Sequence, residues 1–119
     1  NSDVISIHAK LNSSSQKLIS FKEVDHMKEG VVIVNTARGE IINPKAIVEG
    51  LDSNKIASVG LDVCTNEYQS TKLPNDLLLI KSFEDKRIIV TPHAGGSTID
   101  AHAKVFGKIS ELIKLNLKV

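Results

Sequence analysis

The chain is poor in the residues that announce special chemistry or special compartments. It has one cysteine, Cys64, among 119 residues. A single thiol excludes an internal disulfide and any cysteine-rich metal centre, so no metal site is expected. It fits a reducing compartment. Tryptophan is absent and aromatics make up 3% of the residues, so Ile, Val, Leu and Ala must build the core. Neither sign of charge dominates: 15 Lys and Arg against 14 Asp and Glu leave a formal charge of +1. That balance gives no reason to expect nucleic acid or an anionic membrane as a partner. No apolar run approaches the roughly 20 residues that a membrane span needs. The opening residues Asn1-Ser2-Asp3-Val4 carry no basic segment, no signal-peptide core and no initiator methionine. This reads as a cytoplasmic protein whose sequence here begins in the middle of a longer chain. Seven glycines are present, yet none forms G-x-G-x-x-G, so the phosphate-cradling loop that such a pattern builds is absent from this chain.

What is present is an alternation of apolar runs with helical segments. Strands are expected at about 4–8, 31–36, 58–63 and 88–91. Ser20, with Glu23 three residues on, has the form of a capping box over a helix from Phe21 to Met27. Asn43-Pro44 opens a second helix, with asparagine as cap and proline in the first turn. Ala46, Ile47 and Leu51 give that helix an apolar stripe. Thr65 to Asp85 is the least regular segment. Pro74 breaks it, and Leu77 to Ile80 forms a short helical or extended piece. Ser97 or Thr98 caps a last helix to about Leu117, with Ala101, Val105, Ile109, Leu112 and Ile113 at helical spacing. Strands alternating with helices mean βαβ units, a parallel sheet and right-handed crossovers.

Three of the apolar runs end in ionisable residues. Val31-Val32-Ile33-Val34-Asn35-Thr36-Ala37 delivers Arg38 and Gly39. Ser58-Val59-Gly60-Leu61-Asp62-Val63 is followed by Glu67. Arg87-Ile88-Ile89-Val90-Thr91-Pro92 is followed by His93-Ala94-Gly95-Gly96. Open α/β sheets bind ligands at the carboxyl ends of their strands. An anion-binding arginine, a carboxylate and a histidine delivered there make an acid–base set. His26 and His102 read as surface residues, and Cys64 as a small packing residue.

These motifs resemble the D-isomer-specific 2-hydroxyacid dehydrogenases. The resemblance rests on Asp3-Val4-Ile5-Ser6-Ile7-His8, then Met27-Lys28-Glu29-Gly30-Val31 through Asn35-Thr36-Ala37-Arg38-Gly39-Glu40. Gly60-Leu61-Asp62-Val63 with Glu67 follows, and then Thr91-Pro92-His93-Ala94-Gly95-Gly96-Ser97-Thr98. They stand in the family's order and spacing and cover nearly the whole chain. The resemblance implies a partial Rossmann-like, doubly wound parallel sheet. Residues 1–119 would be the second half of an NAD(P)-binding domain, without the glycine-rich half and the substrate domain. It implies hydride transfer between a nicotinamide cofactor and a small 2-hydroxy or 2-keto acid. NAD is the family's commoner cofactor, and the residue that would separate it from NADP is not in this chain.

By the same resemblance, Arg38 would grip the substrate carboxylate, a role its two-pronged guanidinium suits and lysine does not copy. His93 would give or take the proton. Glu67 would hold His93 and favour its charged form. Asp62 would sit near the nicotinamide amide. Thr36, Ala37 and Arg38, with His93, Ala94, Gly95 and Gly96, would line the nicotinamide side, and His8 the adenosine side. The full-length protein would be a homo-oligomer. One departure is Tyr68, which follows Glu67 where the family usually has proline. Two other classes are open at this point: a dinucleotide-sensing protein like the corepressors that share this fold, and a truncated, non-catalytic remnant.

Overall fold

A computed structural model describes residues 2–67 and 76–117, with the side chains of the last helix described as far as Leu112. Pro74 and Tyr68 lie outside the described residues. Four strands form one sheet: β1 (Val4–Ile7), β2 (Val31–Asn35), β3 (Ile56–Leu61) and β4 (Ile88–Val90). Their spatial order follows the chain, β1-β2-β3-β4, and every pair is parallel. The helices are α1 (Phe21–His26), α2 (Pro44–Asp52), α3 (Leu77–Ser82) and α4 (Ile99–Leu117). Right-handed crossovers that all advance in one direction put α1, α2 and α3 on one face of the sheet. They pack there in series, α1 on α2 and α2 on α3. This is one half of a doubly wound α/β sheet, as the alternating pattern implies.

The strand periodicity decides which side chains form the core. Along β2 the alternate residues Val31, Ile33 and Asn35 are fully buried. They meet Ile56 and Val59 of β3, Ile41, and Ile47 and Leu51 of α2. Each fully buried aliphatic side chain contributes about 1.5–3 kcal/mol. The other face of the sheet is covered less by the described residues, and Ile89 is 63% exposed.

The helix boundaries follow their caps. The Ser20 N–H donates to the Glu23 carboxylate at 3.1 Å, and the Ser20 hydroxyl accepts from Asn43 Nδ2 at 3.0 Å. The Asn43 side chain accepts from Lys45 N–H at 3.2 Å, with Pro44 in the first turn. Thr98, rather than Ser97, caps α4, its hydroxyl accepting from Ala101 N–H at 3.1 Å. Strand β3 starts two residues earlier than its sequence pattern indicates. Ile56 is fully buried and pairs with Val31, which draws Ile56 and Ala57 into the sheet. Leu77–Ser82 resolves as a helix because the Asp76 side chain caps it. The apolar stripe of α4 finds no cover among the described residues: Val105, Ile109 and Leu112 are 55%, 45% and 48% exposed.

At the amino end of the sheet, Arg87 ties the entrance of β4 to its neighbours. Its guanidinium donates to Asp85 at 2.7 Å and to the Leu51 carbonyl at 2.7 Å. The Arg87 side chain beside it holds the Asp85 carboxyl down to about 2.

Candidate active site

Parallel pairing brings the carboxyl ends of β2, β3 and β4 to one edge of the sheet. The ladder extends a residue beyond the strands: Asp62 N–H donates to the Asn35 carbonyl at 3.0 Å, and Thr91 N–H to that of Leu61 at 2.8 Å. Arg38, Asp62, Glu67 and His93 therefore leave from adjacent strand ends, as the sequence pattern requires.

At the end of β2 the chain turns because Asn35 makes it turn. The Asn35 side chain is fully buried. Its Oδ1 accepts from Ala37 N–H at 3.0 Å, and its Nδ2 donates to the Arg38 carbonyl at 2.9 Å. Thr36, Ala37 and Arg38 are thereby folded over the strand end. The exposed Arg38 guanidinium donates to the Ala37 carbonyl at 2.6 Å. Arg38 lines an open cavity of about 510 Å³ with His8, Ala9, Lys10, Leu11, Thr36 and Ala37. His8 reaches this cavity from the end of β1, its Nε2 paired with Ser6 Oγ at 2.8 Å. The expected members His8, Thr36, Ala37 and Arg38 thus share one cavity.

The end of β3 supplies the anchor of the histidine turn. The Asp62 carboxylate is 8% exposed and accepts from the Thr91 hydroxyl, from Ala94 N–H at 2.9 Å and from Gly95 N–H at 2.8 Å. The Thr91 hydroxyl first, then the Gly95 and Ala94 amides and the nearby His93, hold its carboxyl below the ordinary value of 3.8, against the opposing effect of burial. His93 lies between these anchors in the left-handed region, with φ +52°. A non-glycine residue persists there only when its surroundings over-determine it, and Asp62 does so from both sides. Gly95 is a close approach: a Cβ there would lie 2.9 Å from Asp62 Oδ2. The amides of Ala94 and Gly95 are committed to Asp62, and the Ala94 carbonyl accepts from Ser97 N–H at 3.1 Å. Asp62 has four acceptor positions and uses three, so one remains for an amide donor. At Gly96 the space is open.

Glu67 and His93 meet. Glu67 Oε2 lies 2.7 Å from His93 Nδ1, and Glu67 Oε1 accepts from Cys64 N–H at 2.8 Å. The two side chains are 17% and 33% exposed. An ionised carboxylate only accepts, so Nδ1 carries the hydrogen and Nε2 becomes the proton-exchanging atom of the ring. Of the acid–base set, then, the pair Glu67–His93 is assembled, and Arg38 stands on the same sheet edge with its guanidinium turned to its own chain.

Three residues to which the sequence assigns no role, Gly39 and Glu40 of the arginine motif and Asp76, build the Glu67 loop. Gly39 is in contact with the Cys64–Thr65 backbone: a Cβ there would lie 2.2 Å from the Cys64 carbonyl carbon and 2.4 Å from Thr65 N. Glu40 Oε1 accepts from Asn66 N–H at 3.0 Å. Asp76 Oδ2 accepts from Thr65 N–H at 2.7 Å and from the Thr65 hydroxyl. The cap role of Asp76 is readable from its position before Leu77-Leu78-Leu79, but its bond to Thr65 has no local signal.

Thr36 belongs both to the 510 Å³ cavity and to a smaller one of about 150 Å³ lined with Gly60, Leu61, Asp62 and Thr91. Thr36 is the residue the two cavities share. Among the described residues, no cluster of His, Cys, Asp or Glu could hold a metal ion, and no helix is long and apolar enough to cross a membrane.

A parallel sheet that gathers a carboxylate–imidazole pair and an arginine at its carboxyl edge has the architecture of a Rossmann-like α/β domain. Comparison with known proteins gives the family. The D-isomer specific 2-hydroxyacid dehydrogenase NAD binding domain matches residues 1–95, and the chain belongs to that family. A 4-methyl-2-oxopentanoate reductase from Aspergillus oryzae is 40% identical over 117 residues, covering 98% of this chain and 31% of its own. The crystal structure of a glyoxylate reductase from Paecilomyes thermophila superposes with a TM-score of 0.71 at 43% identity, covering 87% of this chain and 29% of its own. A D-lactate dehydrogenase from Lactobacillus jensenii, solved with NAD+, has a TM-score of 0.71 at 33% identity, covering 81% of this chain and 31% of its own. The chain thus spans about a third of the length of these relatives.

Proposed function

We propose that this chain is the catalytic second half of the NAD-binding domain of an oxidoreductase. The enzyme moves hydride between NAD and a small 2-hydroxy or 2-keto acid. The glycine-rich half and the substrate domain are supplied from outside residues 1–119. The observation that carries the reading is the Glu67–His93 hydrogen bond of 2.7 Å at the carboxyl edge of the sheet. NAD, when bound, supplies or takes the hydride. In reduction, His93 Nε2 delivers a proton to the keto oxygen, and Glu67 stabilises the charged ring and keeps Nε2 aimed. In oxidation the same atom takes the hydroxyl proton. Arg38 exchanges its bond to the Ala37 carbonyl for the substrate carboxylate, which it grips with two parallel donors. Thr36, Ala37, His93, Ala94, Gly95 and Gly96 line the nicotinamide side, Asp62 offers its remaining acceptor to the nicotinamide amide, and His8 lies toward the adenosine. The relatives named as reductases and dehydrogenases favour the enzyme reading over a corepressor-like sensor. The buried, lone Cys64 thiol fits a reducing compartment, and we place the enzyme in the cytoplasm as a homo-oligomer.

The test is NADH oxidation by the intact protein with glyoxylate, hydroxypyruvate and branched 2-keto acids. His93→Ala should lower kcat by about 10²–10⁴-fold, the usual worth of a positioned acid. Arg38→Lys should raise KM for the keto acid more than KM for NADH. Full turnover in His93→Ala would refute the assignment.

A further inference from the structure

We propose that Asp76 is a positioning residue for the Glu67–His93 pair, acting through Thr65. The proposal rests on the functional reading above and extends it to a residue outside the reacting groups.

Asp76 is 4% exposed, and both of its oxygens are used. Oδ1 caps α3, accepting from Leu78 N–H at 2.8 Å and Leu79 N–H at 3.1 Å. An N-cap needs no more than that. Oδ2 does something else: it crosses eleven positions of sequence to take both donors of Thr65, the N–H at 2.7 Å and the hydroxyl. Burying an ionised carboxylate is costly, and four donors offset the cost here.

Thr65 is where that second oxygen matters. The residue before it, Cys64, donates the N–H of its own peptide with Val63 to Glu67 Oε1 at 2.8 Å. The residue after it, Asn66, has φ +60° and is tied to Glu40. Glu67 is thus fastened to its own loop, and the loop is fastened to the fold at Thr65 and Asn66, with Gly39 against its back. His93 is placed independently, through Asp62 on the other side of the pair. The two reacting partners therefore depend on two separate buried carboxylates. Asp62 holds the turn that carries His93, and Asp76 holds the loop from which Glu67 reaches it. Productive geometry tolerates displacements of only about 0.5 Å. Releasing Thr65 frees the Cys64–Glu67 loop, whose one end donates to Glu67 and whose other end is Glu67, and Glu67 Oε2 shifts with it.

Asp76→Asn tests this selectively. Asparagine keeps an oxygen for the α3 cap but turns an NH2 group toward two Thr65 donors, so only the Thr65 link is lost. Thr65→Val removes the hydroxyl alone, and Thr65→Ser restores it. Asp85→Asn, which breaks a carboxylate contact at the opposite end of the sheet, is the structural control. The readouts are exchange with water of the His93 Nδ1–H proton in 15N-histidine-labelled intact protein, and steady-state keto-acid reduction. In Asp76→Asn the proton should exchange about tenfold faster and kcat should fall about tenfold, with KM for NADH unchanged. Thr65→Val should shift both in the same direction by about threefold. Thr65→Ser and Asp85→Asn should match the parent. Unchanged exchange and kcat in a folded Asp76→Asn overturn the proposal; if that variant does not fold, unchanged values in Thr65→Val overturn it. If the parent turns over no 2-keto acid while the Nδ1–H signal still responds to Asp76→Asn, the functional reading fails and the positioning role stands.

Discussion

Gly39→Ala should damage the active site without touching a reacting group. Gly39 opens the short 3₁₀ turn Gly39–Ile41 and sits directly behind the Glu67 loop. A methyl group there would lie 2.2 Å from the Cys64 carbonyl carbon, 2.4 Å from Thr65 N and 2.5 Å from the Cys64 oxygen. All three atoms are backbone, so no side chain can rotate away. Ordinary contact begins at 3.4 Å, so the loop must retreat by about 1.2 Å, the difference between 3.4 and 2.2 Å. Glu67 Oε2 is 2.7 Å from His93 Nδ1, and the same retreat would take it to about 3.9 Å, outside hydrogen-bond reach. Overpacking of this kind costs about 1–3 kcal/mol in stability. A misplacement of about 1 Å in a catalytic group costs up to roughly 10²-fold in rate. The assay pairs thermal unfolding with NADH-linked keto-acid reduction in the intact protein. Stability should fall by the stated amount, kcat should fall 10- to 100-fold by the same estimate, and KM for NADH should stay near its parent value. A melting temperature within about 1 °C of the parent together with an unchanged kcat would refute the argument.

Other outcomes follow from the same geometry. The Thr91 hydroxyl and the Gly95 and Ala94 amides hold the Asp62 carboxyl below 3.8, so its stabilisation is present above about pH 4 and is lost as the pH falls through the lowered value. Asp62→Asn should therefore be less stable than the parent at pH 7 and lose less on going to pH 3, read from urea unfolding at each pH; identical acid profiles would count against it. Burial first, then the charges of Asp76 and Glu67, push the Cys64 thiol up to about 11. At pH 8 a disulfide reagent should react with it roughly two orders of magnitude more slowly in the native protein than in denaturant, and equal rates would show the thiol to be accessible. Gly107 lies within α4, and a methyl group added there would meet nothing within 4 Å among the described residues. Gly107→Ala should therefore stabilise the protein by about 0.5–1 kcal/mol in thermal unfolding, since alanine replaces glycine in an uncrowded helix.

The elements and their order could be read along the chain because their causes are local. A run such as Val31 to Val34 has the composition of a buried strand wherever it occurs, and Asn43-Pro44 starts a helix by geometry confined to a few residues. The parallel sheet follows, because strands joined by helices return in the same direction, and with it the shared edge for Arg38, Asp62, Glu67 and His93. The extent of β3 was harder to see. Lys55-Ile56-Ala57 carries no strand signal of its own, and Ile56 joins the sheet because Val31 is there to pair with it.

What the sequence by itself determined, then, is the order of strands and helices and the edge at which the ionisable residues emerge, since both follow from local propensity and the handedness of crossovers. The tertiary structure alone decided how those residues are held. Asp62 reaching Ala94 and Gly95, Asp76 reaching Thr65, and Gly39 lying against Cys64 all join segments distant along the chain. Such contacts arise from hydrogen-bond satisfaction and close packing in three dimensions, and neither leaves a periodic trace in one. The same reason sets Glu67 at hydrogen-bond distance from His93: their spacing in sequence places both at one edge, and only the packing of the two loops brings one oxygen to one nitrogen.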